Sequence, residues 1–479
     1  MKRKRKQVYN PFLPLNEYIP DGEPHVFGGR IYLFGSHDRF GGDRYCMEDY
    51  VCYSADVLDL TNWRLEGVIY RKKQDPRNPD GSHCLWAPDV VQGPDGRYYL
   101  YYCLDSLPEI GVAVSDCPEG PYEYLNLVKH SDGTALGAGE EDDSQFDPGV
   151  FIDDNGEIYL YSGNAPRSQG ENPRKRSQVM RLCSDMVTLR ESPRPLIPDI
   201  RNSAGTGFEG HEFFEASSVR KVGSMYYFVY SDIQSNALCY AVSLWPDKEY
   251  RFGQQIIALG DTGYRGRGRN EALNFTGNIH GGMENIAGQW YIFYHRHTNR
   301  TQFSRQACAE KITILPDGSI PQVEMTSCGL NIGPLAGEGK YPAAIACNLR
   351  GKDGAVFSLP ENMTEKYPYI TQEKSHQYIA NMRDGEEASF KYFYLEENTR
   401  VSVLVRGKAV GKIRIRLGKE GREAGEIKIE TDTREWTEYT APLEVRHKDR
   451  QALLSFIYEG NGAVDFKEFK LEVSKCHSI

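Results

Sequence analysis

The runs GRIYLFGSHD (29–38), GRYYLYYCLD (96–105), GEIYLYSGNA (156–165), GSMYYFVYSD (223–232) and GQWYIFYHRH (288–297) decide the fold. Each opens on a glycine and continues as an aromatic-rich strand, and the glycines follow one another at intervals of 67, 60, 67 and 65 residues. A glycine with Asp, Asn or Gly before it, as in Asp95-Gly96 and Asn155-Gly156, supplies the tight turn of a β-hairpin. Between the runs lie prolines, glycines and further short strands, with little helical periodicity. A repeat of this length accommodates a four-stranded antiparallel blade with long loops, so five copies predict a five-bladed β-propeller.

Eight or nine residues upstream of each glycine, where the strand entering the hairpin begins, stand Asp21, Pro88, Asp147, Glu215 and His280. The innermost strand of each propeller blade lines the axis, so equivalent starting positions converge at one mouth of the channel. Three carboxylates and a histidine would meet there. Crowded, partly desolvated carboxylates repel one another, which spreads their pKa values and prepares one as an acid and another as a base. Each has a local competitor. Asp21 sits in an ordinary Pro-Asp-Gly turn with Glu23 close by, Asp142 and Asp143 precede Asp147, and Glu212 precedes Glu215.

Five segments in order then resemble glycoside hydrolase family 43 over roughly residues 10–325. They are Tyr18-Ile19-Pro20-Asp21-Gly22-Glu23-Pro24, Trp86-Ala87-Pro88-Asp89, Phe146-Asp147-Pro148-Gly149, Phe213-Phe214-Glu215-Ala216-Ser217-Ser218 and Gly277-Asn278-Ile279-His280-Gly281-Gly282. The resemblance implies an inverting mechanism with Asp21 as general base, Glu215 as general acid and Asp147 as the carboxylate that tunes and orients the acid. It also implies that His280 contacts a metal ion, usually calcium, held mostly by waters in the channel, and no organic cofactor. Asp21 is followed by Gly22-Glu23-Pro24 where the family more often has proline directly, which keeps Glu23 in contention as the base. Trp86 is expected to offer its indole face to a sugar, Arg296 to donate to sugar hydroxyls, and His37 and Asp38 to reach the sugar from the end of the first hairpin.

The repeats stop near residue 330, so residues 1–330 form the catalytic domain and 333–342, rich in Gly and Pro, read as a linker. Residues 343–479 hold short strands such as 388–393, 400–405, 412–417 and 452–457, whose alternation suits a β-sandwich of jelly-roll type. This part resembles carbohydrate-binding modules of family 6. The whole chain is therefore expected to be all-β.

Composition narrows the function. The net charge of −10 argues against nucleic acid as a partner, because neutralising phosphates needs a basic face. With 39% hydrophobic residues and a mean hydropathy of −0.57 the chain reads as globular, without a membrane segment. The basic run Lys2–Lys6 is followed by Pro11 and Pro14 rather than an apolar stretch, and is expected to be a solvated tail, not an export signal. Eleven cysteines without metal-type spacing read as reduced thiols, which points to the cytoplasm. The reading is an exo-acting α-L-arabinofuranosidase, with β-xylosidase activity as an added specificity, acting on arabinoxylan-derived oligosaccharides. An endo-acting arabinanase and a non-catalytic sugar-binding propeller are the alternatives.

Overall fold

Five small antiparallel sheets follow one another along the chain. They are seen in a computed structural model that describes residues 6–170, 174–359, 361–449 and 451–474; the expected basic tail lies, apart from Lys6, outside the described residues. The first sheet is β1 (Glu23–Phe27), β2 (Arg30–Phe34), β3 (Tyr50–Asp56) and β4 (Asp59–Tyr70). The second is β5 (Asp89–Gln92), β6 (Tyr98–Cys103), β7 (Ile110–Ser115) and β8 (Glu123–Leu127), and the third β9 (Gly149–Ile152), β10 (Ile158–Ser162), β11 (Gln178–Leu182) and β12 (Leu189–Pro195). The fourth is β13 (Phe213–Val222), β14 (Met225–Asp232), β15 (Ala237–Ser243) and β16 (Arg251–Ala258). The fifth has three strands among the described residues, β17 (Met283–Ile286), β18 (Gln289–His297) and β19 (Arg305–Ile312).

The inner strands neighbour one another in sequence, β1 with β5, β5 with β9, β9 with β13 and β13 with β17, and β17 returns to β1. This closed ring is the five-bladed propeller that the repeat predicts. All five repeat glycines, Gly29, Gly96, Gly156, Gly223 and Gly288, turn the inner hairpin with φ between 60° and 89°, a conformation that costs a Cβ-bearing residue energy.

Packing explains why the repeat strands are apolar throughout rather than alternating. In β6, Tyr99 and Tyr101 pack against the third blade while Leu100 and Tyr102 pack against the first. In β14, Phe228 and Tyr230 face the third blade while Tyr227 and Val229 face the fifth. Both faces are buried, and each such side chain contributes about 1.5–3 kcal/mol of transfer free energy. The last joint, between blades five and one, also takes in Val8, Phe12 and Leu13 from the N-terminal segment. Asn10 fastens that segment: its Nδ2 donates to the Ala309 carbonyl and to Glu310 Oε1, both at 2.9 Å, and its Oδ1 accepts from the Ala309 N–H at 3.0 Å.

The second domain is one sheet of nine strands around a single core. It starts earlier than expected. The stretch taken for a linker contributes β20 (Leu335–Ala336) and β21 (Gly339–Pro342), short pieces of the sheet whose Gly- and Pro-rich composition hides them. After β22 (Asn348–Arg350), the hairpin β23 (Tyr369–Glu373) and β24 (His376–Met382), and β25 (Glu387–Tyr394), three long strands complete it: β26 (Thr399–Leu417), β27 (Arg422–Pro442) and β28 (Gln451–Val473). The segments 400–405 and 412–417, separate strands by sequence pattern, are two halves of β26. They join where Gly411 pairs with Gly460 of β28; a Cβ on Gly411 would stand 2.2 Å from the Glu459 carbonyl oxygen, so glycine lets the paired strands bend without breaking.

Buried polar contacts join the domains. Lys391 of β25, 2% exposed, donates its ammonium to Asp261 Oδ2 at 2.5 Å and to the Met325 carbonyl at 3.0 Å in the propeller. Among the described residues no helix is long and apolar enough to cross a membrane. Lys391→Met should cost about 3–5 kcal/mol in urea unfolding, because it leaves the buried Asp261 carboxylate uncompensated. Adding Asp261→Asn should recover part of that loss.

Candidate active site

Two inner strands are entered through strained turns. Asp21 (φ 56°) and Asp147 (φ 44°) both adopt the left-handed conformation just ahead of β1 and β9, and such residues persist only where the surroundings hold them. Glu215 lies near the start of β13, opposite Ser231 across an irregular stretch of pairing. At Gly149 a Cβ would stand 2.2 Å from the Ser217 carbonyl oxygen. Glycine there lets the third and fourth blades close in, bringing Asp147 beside Glu215. Asp21, Asp147, Glu215 and His280 all line one cavity of about 630 Å³, with Trp86, Tyr45, Phe146 and Arg305.

The three carboxylates have different partners. Arg305, 2% exposed, donates from Nη1 to Asp21 Oδ1 at 2.8 Å and grips Asp38 through Nε (2.8 Å) and Nη2 (2.9 Å). Burial pushes the Asp21 carboxyl up, but the Arg305 charge and the adjacent His295 and His280 outweigh it and hold Asp21 well below the usual carboxylate range. His295 Nε2 donates to the Asn278 carbonyl (2.9 Å), and its Nδ1 accepts the Asp21 backbone N–H at 3.2 Å. The cations near Glu215, His280 and Arg167, only oppose the rise of its pKa. Burial first, then the charge of Asp147, raise its pKa to about 8, with Asn164 Nδ2 donating to Oε2 at 3.1 Å. Burial raises the Asp147 carboxyl as well, while the His280 ring, 3.4 Å away, opposes the rise. His280 is itself raised to about 9, since the Asp147 charge more than offsets its burial.

One buried acid is thus held ionised and another protonated within one cavity, the arrangement that general base and general acid catalysis require. Three buried polar atoms of cavity-lining residues have no hydrogen-bond partner among the described residues: Trp86 Nε1, Gln145 Oε1 and Asn278 Oδ1. The Trp86 ring meets Phe146 edge-on at 5.0 Å and Tyr45 at 6.0 Å, forming an aromatic wall.

For the calcium ion that the family resemblance implies, His280 would offer one ring nitrogen. With the His280 Nδ1 side turned to Asp147, the other ring nitrogen can hold either a proton or a metal, and water would have to complete the six to eight oxygen ligands calcium takes. Below the mouth, Glu23, His25 and Asp89 form a buried group, but Arg220 already donates to Glu23 Oε1 at 2.8 Å.

The structure separates the remaining candidates. Glu23 accepts from Ser218 and Arg220 in the channel and does not line the cavity. Asp142 binds His130, Asp143 pairs with Arg176, and Glu212 accepts from Ser203. Three substrate-contact expectations need correction. Arg296 points away from the cavity: it donates to the carbonyls of Ala344 (2.6 Å) and Ala346 (3.1 Å) and joins the domains. Side chains alternate along β18, so His295, whose ring contacts Asp21, and the adjacent Arg296 point to opposite faces. His37 bonds to the Asp49 carbonyl and Glu17, outside the cavity lining. Asp38 is buried behind Arg305 and does not line the cavity; it holds Arg305 and accepts the N–H of the cavity-lining Cys46 at 2.9 Å. Arg305 itself was missed, because β19 (RQACAEKI) mixes polar and charged residues and only its burial sets Arg305 apart.

A ¹³C NMR pH titration of glutamate side chains should show two carboxyls titrating near pH 8, those of Glu215 and Glu310, of which one disappears in Glu215→Gln. In Asp147→Asn the same titration should move to lower pH, because a negative charge that keeps the proton on Glu215 is gone.

The family model for glycosyl hydrolases family 43 matches residues 10–320. A xylosidase/arabinosidase of Thermoclostridium stercorarium is 48% identical over 475 residues, covering 98% of this chain and 99% of that protein. Another xylosidase/arabinosidase, from Bacteroides ovatus, is 31% identical over 59% of this chain and 87% of its own. Among solved structures, an arabinoxylan arabinofuranohydrolase from Bacillus subtilis aligns over 97% of both chains with a TM-score of 0.51 at 19% identity, so the likeness there is one of fold. With the two acids poised as described and the family model spanning the propeller, the protein is a glycosidase and belongs to glycosyl hydrolase family 43.

Proposed function

We propose that the protein removes terminal α-L-arabinofuranosyl and β-D-xylosyl units from arabinoxylan-derived oligosaccharides, with inversion. The observation that carries this reading is the opposed protonation of Asp21 and Glu215 in one cavity. The 48% identical relative that bears both activities in its name supports the choice of sugars. The unpartnered Trp86 Nε1, Gln145 Oε1 and Asn278 Oδ1 are groups that sugar hydroxyls would satisfy.

In this mechanism Asp21 takes a proton from a water whose oxygen attacks the anomeric carbon. Glu215 gives its proton to the glycosidic oxygen as the bond from that oxygen to the anomeric carbon breaks. The new bond forms on the face opposite the leaving group, so the configuration inverts. Asp147 keeps the proton on Glu215 through its charge, and His280 orients Asp147. A calcium ion, when held by His280, supplies a fixed positive charge beside Asp147. We also place the protein in a reducing compartment, supported by ten described cysteines that are all free; fractionation of the source cells tests that placement.

Activity requires Asp21 ionised and Glu215 protonated. The kcat/KM profile should therefore fall as pH rises through about 8, with its acid limb below the usual carboxylate range. Glu215→Gln should lower kcat about 10²–10⁴-fold on oligosaccharides, far less on aryl glycosides with good leaving groups, and should abolish the alkaline limb. Asp21→Asn should be severely impaired on both. Retention of full activity by either variant, or release of no pentose from aryl arabinofuranoside and xyloside, would overturn the reading. Dialysis against EDTA should lower kcat by less than about threefold, with calcium restoring it, because a proton on His280 supplies the same charge.

A further inference from the structure

The β23–β24 hairpin of the second domain touches the propeller at two places, and each is a short chain segment leading to one member of the Asp21–Arg305 ion pair. The first is Tyr18, three residues before Asp21 and 2% exposed. Its hydroxyl donates to Gln372 Oε1 at 2.5 Å and accepts from Gln377 Nε2 at 2.8 Å, so both hydrogen-bonding directions are met by the hairpin. The Tyr18 carbonyl in turn accepts the Asp38 N–H at 2.9 Å, and Asp38 is the other carboxylate on Arg305. Its ring packs on Phe40 at 5.5 Å.

The second place is the turn between β18 and β19. The Asn299 N–H donates to the Ile370 carbonyl at 2.7 Å, Thr371 Oγ1 donates to Asn299 Oδ1 at 3.1 Å, and the Arg300 guanidinium lies 4.2 Å over the Tyr369 ring. Asn299 and Arg300 are consecutive left-handed residues (φ 53° and 57°), an arrangement that external bonds must hold. From there the loop runs through Gln302, which accepts the Tyr45 hydroxyl at 2.7 Å, and Phe303, whose ring is 4.7 Å from Tyr45. It ends at Ser304, and the next residue is Arg305. Tyr45 is part of the cavity wall and lies beneath the Arg305 guanidinium at 4.8 Å.

The domains are already fastened elsewhere, by Lys391 on Asp261 and by Arg296 on the Ala344 and Ala346 carbonyls. The hairpin contacts are therefore additional to attachment. We propose that Gln372, Gln377 and Thr371 are positioning residues of the catalytic centre: through Tyr18 and Asn299 they set the geometry of Asp21 against Arg305. The second domain is then part of the base half of the site, whether or not it binds carbohydrate. This rests on the reading of Asp21 as the base.

The test uses the full chain. Asp21 faces Arg305, His295, His280 and Asp147, so its titration reports how tightly Arg305 is held. In Tyr18→Phe, which keeps the ring and removes the hydroxyl, and in Gln377→Ala, kcat should fall about tenfold with KM changed less than about threefold. The acid limb of kcat/KM should rise by about half a pH unit or more, while the limb near pH 8, which belongs to Glu215, stays in place. Thr371→Val, which acts only through Asn299, should move the same limb and serves alone if Tyr18→Phe does not fold. Unmoved limbs with unchanged kcat, or a lower melting temperature with unmoved limbs, overturn the proposal. If Asp21→Asn is active, the base assignment fails; if Asp21→Asn is inactive while Tyr18→Phe and Thr371→Val keep the wild-type profile, only this inference fails.

Discussion

Every blade of the propeller is apolar on both faces, and the surface that covers most of each face is the next blade. Tyr99 and Tyr101 look one way from β6 while Leu100 and Tyr102 look the other, so no blade can stand at an end without exposing a row of large side chains. Closure of the ring satisfies this for all five at once. The inner strands then converge, and side chains at their starts are forced into a shared space whatever their charge. The site follows from the same burial that stabilises the fold.

That convergence has an electrostatic cost, because carboxylates lose water as they gather. The molecule meets the cost unevenly. Asp21 receives a guanidinium that is itself anchored by Asp38, whereas Glu215 receives an amide and the neighbouring Asp147 charge. A rise in the Glu215 pKa from 4.5 to about 8 means that the site disfavours the charged form, relative to water, by roughly 5 kcal/mol. This is comparable with the net stability of a whole domain, so the surrounding packing must be firm enough to prevent Glu215 from turning out to solvent. The hydrophobic joints on either side of β13 provide it.

Much of this is legible in residue order. Five hairpin glycines at near-even spacing fix the number of blades, and the strand starts place Asp21, Asp147, Glu215 and His280 at equivalent positions, which the cavity unites. Spacing works here because a closed ring turns sequence periodicity into angular position. What fails is the direction of side chains at the far ends of the hairpins. His295 and Arg296 are adjacent in sequence yet point to opposite sides of β18, and a shift of one residue exchanges a contact with Asp21 for a domain contact. In the second domain, glycines that bend β26 and β28 without interrupting their pairing read as strand ends, and the edge pieces β20 and β21 read as a linker.

The sequence by itself determined the all-β class, the fivefold repeat and the four ionisable groups at its axis, because strand period and turn chemistry are local properties written in consecutive residues. Only the tertiary structure decided which acid keeps its proton, that Arg305 rather than Arg296 pairs with Asp21, and that a hairpin more than 350 residues from Tyr18 grips its hydroxyl. Those outcomes depend on burial and on distances between charges far apart in the chain, and no local pattern encodes either.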